Sequence, residues 1–278
     1  MVRRYAMHQK CDTKGATVVF DREPLQRIQF EHNPLRVVVA QLRFPTEFRL
    51  SEAAILARIQ DRLRDRYPVA QATQQQMSIQ LAVGPTPPQL MNQMGPGPIR
   101  FIGDDGAWIV TLGPDVLSLE TTDYHDWVAF LARFEAVLDA VHTDVAPPLI
   151  QRLGLRFIDE LQHPEARTLA DWSRFLDPEL LGTAASARFA QLTTTTSEQI
   201  TIVQDEDAAT ITHAYTQNGR DADPPSTYLI DLDCFSTRPF ALDRNALRAK
   251  LVRYHGAAWN MFRESLLDPM VEALGRAE

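Results

Sequence analysis

Three short runs, 99–103, 107–112 and 115–121, follow one another with only Asp104-Asp105-Gly106 and Gly113-Pro114 as punctuation. Asp-Gly and Gly-Pro steps supply tight-turn chemistry. A tight turn joins antiparallel strands only, because a parallel crossover takes a dozen or more residues. The segment is therefore committed to an antiparallel meander, whose apolar face needs a cover. The stretch 124–142 provides one, with Trp127, Phe130, Leu131, Phe134, Leu138 and Val141 at helical spacing.

The same plan can be read along the rest of the chain. RVVVAQLRF (36–44) is a Val-rich strand ended by Pro45, and 52–66 is an amphipathic helix with Ser51 as its expected N-cap. Residues 74–81 alternate as a strand, and 84–98 hold three Gly and five Pro, which leaves only a loop. In the second half, 149–161 reads as one long strand and 168–175 as a short helix. Strands at 187–196, 199–204, 208–214 and 226–234 follow, with a polar loop at 216–225. Helix 244–267 closes the set, its stripe made of Leu247, Leu251, Tyr254, Ala258 and Phe262.

The order strand, helix, antiparallel strands, long helix thus occurs twice. At an offset of 120, Trp108–Leu112 meets Tyr228–Leu232 and Asp123 meets Asp243, each a candidate helix N-cap. At an offset of 113, Leu42-Arg43-Phe44 meets Leu155-Arg156-Phe157. The expected fold is α+β: two similar β-α-β(n)-α lobes, TATA-binding-protein-like or helix-grip-like, each a curved antiparallel sheet under one long helix. The boundaries are an N-terminal arm at 1–22, a first lobe at 23–146 and a second at 147–278.

The 278 residues are 45% hydrophobic and 23% charged, a globular composition, with a formal charge of −8 that disfavours a sequence-tolerant DNA binder. No apolar run approaches the ~18 residues of a membrane span. MVRRYAMHQK has no apolar region behind it, so no secretory signal is expected, and the two cysteines, Cys11 and Cys234, suggest no disulfide scaffold. The expected setting is cytoplasmic.

Several short phrases stand together: Asn33-Pro34-Leu35 with Gln41–Pro45, Tyr124 with Trp127, Arg152–Asp159, and Asn260–Phe262. In this the chain resembles, over roughly 30–265, a sporadically distributed family of uncharacterised bacterial proteins. That family's third phrase tends to end Tyr-Ile-Asn, where Phe157-Ile158-Asp159 stands here. The resemblance carries over no activity and no catalytic residue. A patchy distribution implies horizontally moved gene neighbourhoods, such as anti-phage defence islands or specialised biosynthetic clusters.

Four constellations can carry chemistry. Period two places Arg152, Gly154 and Arg156 on one strand face, with Arg43 in the matching place of the first half and Arg100 as a fourth cation. Together they form a candidate anion site, against the alternative of cross-strand ion pairing. Asp231 and Asp233 share a face, as weak metal candidates or partners for those arginines. Glu120 is the conceivable third ligand, since two carboxylates alone are too few for Mg²⁺. Leu90, Met91 and Met94 form a candidate partner-docking loop. The seven histidines show no zinc-hydrolase spacing, Cys234 sits in an expected core strand, and no P-loop, G-x-S-x-G elbow or dinucleotide fingerprint occurs.

The reading that follows is a non-catalytic, two-lobed binding or adaptor protein without a cofactor. It would be an accessory or sensor component of a transferred multi-gene system, with a protein partner from the same locus or an anionic ligand. The alternatives are a metal-assisted enzyme on a phosphate-containing substrate and a nucleic-acid binder using the saddle between lobes.

Overall fold

A computed structural model describes residues 19–72, 97–182, 186, 188–217 and 226–276. The first half contains β1 (Leu35–Arg43), α1 (Ala53–Leu63), β2 (Val69–Ala72), β3 (Ile99–Ile102), β4 (Trp108–Gly113), β5 (Val116–Thr121) and α2 (Trp127–His142). The second contains β6 (Leu149–Ile150), β7 (Arg152–Gln162), α3 (Pro178–Leu181), β8 (Thr195–Gln204), β9 (Asp207–Thr216), β10 (Thr227–Ser236), β11 (Phe240–Ala241), α4 (Arg244–Ser265) and α5 (Asp268–Leu274).

The molecule is mixed α+β around one nine-stranded antiparallel sheet, ordered β2-β3-β4-β5-β1-β7-β10-β9-β8. The two halves meet at its centre, where β1 and β7 pair with Val38 opposite Phe157 and Gln41 opposite Gly154. Outward from this seam the order is β1-β5-β4-β3 on one side and β7-β10-β9-β8 on the other. Helix α4 packs on β10 and β7, α2 on β5, and α1 against α2. The core lies between these helices and the sheet, where Val38, Ala40, Leu42, Leu119, Leu153, Leu155 and Leu232 meet Phe130, Phe134, Leu251 and Tyr254.

Several boundaries differ from the sequence reading, each for a local reason. The run 149–161 is two strands. The Gln151 N–H donates to the Arg43 carbonyl, and Leu149–Ile150 turns away to pair with Phe240–Ala241 in a separate ribbon. Residues 188–192 form turns, and the strands expected at 187–196 and 199–204 become one, β8. Ser51 ends a 3-10 turn (Phe48–Ser51) and caps nothing. Residues Leu169–Arg174 are a 3-10 turn held by a capping box of Thr168 and Asp171. Helix α2 is capped by Asp126, not Asp123, through its side chain and the Ala129 N–H; Asp243 caps α4 through the Ala246 N–H as expected. The offset-120 match therefore aligns non-equivalent strands: Trp108–Leu112 lies in β4, second from the seam, whereas Tyr228–Leu232 lies in β10, adjacent to it. Strand β2 lacks an alternating apolar pattern, which hid it. The strand expected at 74–81 and the loop with Leu90, Met91 and Met94 lie outside the described residues.

No regular element covers 19–34, yet this segment is tied to α4 as an extended strap. The N–H groups of Val19 and Phe20 donate to Gln204 Oε1, and Phe20 is buried beside Tyr254. Buried Asn260 accepts from the Leu25 N–H at 2.7 Å and donates to the Glu23 carbonyl at 3.2 Å. One amide thus pairs the strap as a neighbouring strand would, satisfying backbone groups that burial would otherwise strand. Trp259 Nε1 donates to the Leu25 carbonyl, and the His32 N–H to the Leu274 carbonyl. The last residues of the expected arm are therefore docked on the second half. Among the described residues no helix is long and apolar enough to cross a membrane.

Candidate functional site

The arginines of β7 lie on the sheet face away from the helices, and each meets an acid. Arg156 is bidentate to Asp231, with Nε–Oδ1 at 2.7 Å. Arg152 donates to Asp233 Oδ2 at 2.6 Å and lies 4.4 Å over the Phe235 ring. To reach Asp233 its guanidinium crosses Gly154, where a Cβ would collide with it. The glycine therefore makes room for a neighbouring side chain of the same chain, where an open approach for an external anion was expected. The hydrogen bond to Asp231 raises the Arg156 pKa, and burial raises that of Asp233 against the pull of Arg152. Arg43 lies directly opposite Arg152 across the seam and is 3.3 Å from Asp115, whereas Arg100 sits apart on β3. With both β10 aspartates engaged by arginines, no group of three or more His, Cys, Asp or Glu suited to a metal occurs among the described residues. Glu120 lies opposite Val39 and joins no such group.

The opposite face holds a cavity of about 540 Å³, walled by the strap, the entry to α2, the β1–β7–β10 floor and α4. The strap contributes Arg27, Phe30 and Asn33. The approach to α2 contributes Tyr124, His125, Asp126 and Trp127. Strand residues Leu35, Phe157, Asp159 and Leu232 form the floor, and α4 adds His255, Ala258, Trp259 and Phe262. Its size is that of a small-molecule site.

Strand parity puts a carboxyl in this aromatic setting. On β7, Leu153, Leu155, Phe157, Asp159 and Leu161 share the helix-facing side. Asp159 is 5% exposed, and no hydrogen bond or ion pair engages its carboxyl among the described residues. Burial, with a smaller push from Asp231 behind it, raises its pKa to about 8. His255 stacks on Trp127 with centroids 4.1 Å apart, and its Nδ1 lies 3.0 Å from Arg27 Nη2. Arginine only donates, so Nδ1 accepts and the neutral ring carries its proton on Nε2. Burial, then Arg27, lowers the His255 pKa to about 3. Burial raises the Tyr124 phenol to about 12. At neutral pH the His255 ring and the Tyr124 phenol are therefore uncharged, and Asp159 is mostly so. The arrangement suits binding of an apolar body with one polar or charged atom; no nucleophile is paired with a base here.

Some residues of the short phrases noted in the sequence line this cavity, namely Asn33, Leu35, Tyr124, Trp127, Phe157, Asp159 and Phe262, whereas Gln41–Pro45 and Arg152–Arg156 do not. Comparison with known families and proteins finds no family model and no curated protein that matches the chain.

Proposed function

We propose that the chain is a non-catalytic binding protein whose ligand site is the cavity beneath the strap. The two halves act as similar lobes joined at the β1–β7 seam, in a TATA-binding-protein-like arrangement, and serve an accessory or sensor role within a multi-gene system. The observation that carries this reading is Asp159, a carboxyl buried without a partner among the described residues at the wall of a cavity large enough for an organic molecule. An unpaired buried carboxyl is costly and persists where something other than stability selects it. The arginine face supports the reading by contrast, since its charges are already matched.

Nile red, a neutral dye that brightens in apolar surroundings, tests the cavity. The expected result is saturable one-to-one binding that Ala258→Trp, which fills the cavity, abolishes while the fold persists. Dye binding unaltered by Ala258→Trp, or none in the unmodified protein, would overturn the reading.

A further inference from the structure

Resting on the pocket reading, we propose that the ligand is an organic cation: a protonated amine or amidine on an aromatic or aliphatic body, its charged nitrogen against the Asp159 carboxylate. The floor of the cavity offers one carboxyl, a strong acceptor once ionised, and no fixed cation among the described residues. Asp159 engages no donor among the described residues, and the His255 imidazole lining the same cavity is neutral with Nδ1 already occupied by Arg27. A ligand must bring the missing positive donor, and charge-assisted bonds of this kind are the strong ones. The walls serve the same ligand. Trp127, Tyr124 and Phe157 present aromatic rings, whose faces and edges accept an apolar body and whose π-systems attract cations.

Of the other charged groups lining or backing the cavity, the acids favour a cation, and Arg27 opposes it from the strap. Asp231, behind the floor, is held by Arg156 and adds only negative potential. Asp126 is engaged in capping α2, with His125 beside it. Arg27 is exposed and lies 5.1 Å over the Trp259 ring, attached to the strap. Among the described residues no lysine lines the cavity.

Binding is coupled to a proton. Burial keeps Asp159 mostly protonated at neutral pH, so an incoming ammonium sends that proton to solvent and leaves a carboxylate paired with the ligand. Tryptamine supplies the ammonium, tryptophol is its neutral analogue with a hydroxyl in that place, and both are small against the cavity. Calorimetry in two buffers of different ionisation heat reads affinity and protons together. The expected result is that tryptamine binds at least tenfold more tightly than tryptophol and releases close to one proton at about pH 6.5. Its affinity should fall about tenfold per unit as pH drops below about 8. Asp159→Asn should erase the preference and the proton release; if that variant does not fold, the preference and pH dependence of the unmodified protein decide alone. Equal binding of the two compounds, or tryptamine binding without proton release, would overturn the cation inference and leave the pocket standing. Binding of neither tryptamine, tryptophol nor Nile red would overturn both.

Discussion

Along β7 the two faces of the central sheet treat charge in opposite ways, whereas on β9 the buried Asp207 of the covered face is held by Lys250, Arg253 and Tyr254 of α4. On the open face, Arg152 and Arg156 reach Asp233 and Asp231 across β10, and Arg43 reaches Asp115. On the helix-covered face, Asp159 stands on the same strand as those arginines and has no counterpart among the described residues. The more conspicuous charges in the sequence are the ones the fold satisfies internally. The single acid hidden among Leu155, Phe157 and Leu161 is the one left for an external partner.

The largest expected effects belong to the covered face itself. Phe134→Ala on α2 and Leu251→Ala on α4 remove fully buried side chains, and each should cost about 2–5 kcal/mol in denaturant titration. Similar losses in both would show that the two halves depend equally on their helices; a loss confined to one would break that parity.

On the open face, Asp231→Ala leaves Arg156 without its bidentate acceptor. The arginine keeps access to water, so the loss should be about 1–2 kcal/mol by the same titration. No loss would mean that the open-face pair contributes nothing.

The sharpest contrast concerns pH. Asp159 has a folded pKa raised to about 8. Its contribution is therefore fully present below its unfolded value near ~4 and is lost as pH rises through about 8. His255 behaves oppositely: its folded pKa is lowered to about 3, so its contribution is present above its unfolded value near ~6.5 and is lost on acidification. Above about pH 6.5 only Asp159 acts of the two. Asp159→Asn should therefore be more stable than the unmodified protein at about pH 8.5, by about 1–3 kcal/mol, with the gap closing near pH ~5. A gap of the same size at both pH values would refute the titration.

The smallest effects test the repeat. Asp126→Ala and Asp243→Ala each remove one cap bond and should each lower stability by about 1 kcal/mol, measured by thermal unfolding.

Much of the frame was readable from local chemistry. The tight turns after Ile102 and Leu112 dictated antiparallel neighbours, and the apolar stripes of α2 and α4 named the residues that cover them. The register between halves was not readable, because Val and Leu runs in β4 and β10 look alike while their places in the sheet differ. The strap escaped for a different reason: it makes no regular pattern, and its anchor, Asn260, is a lone amide on a helix. Only the alternation of Ile28 and Phe30 with polar neighbours hints at an extended, docked segment. Asp159 carried a usable signal. Extending the period of two by one step past Phe157 puts a carboxyl on the apolar face of β7. The partners of Arg152 depended on Gly154, whose missing side chain reads equally as room for a ligand or room for a neighbour.

The most direct test of the central claim follows the aspartate side-chain carboxyl carbons by NMR through a pH titration of the ligand-free protein. One carboxyl is expected to titrate near about 8, to be absent from Asp159→Asn and to shift to lower pH when tryptamine is bound. A spectrum in which the Asp159 carboxyl titrates with the exposed aspartates near ~4 would contradict it.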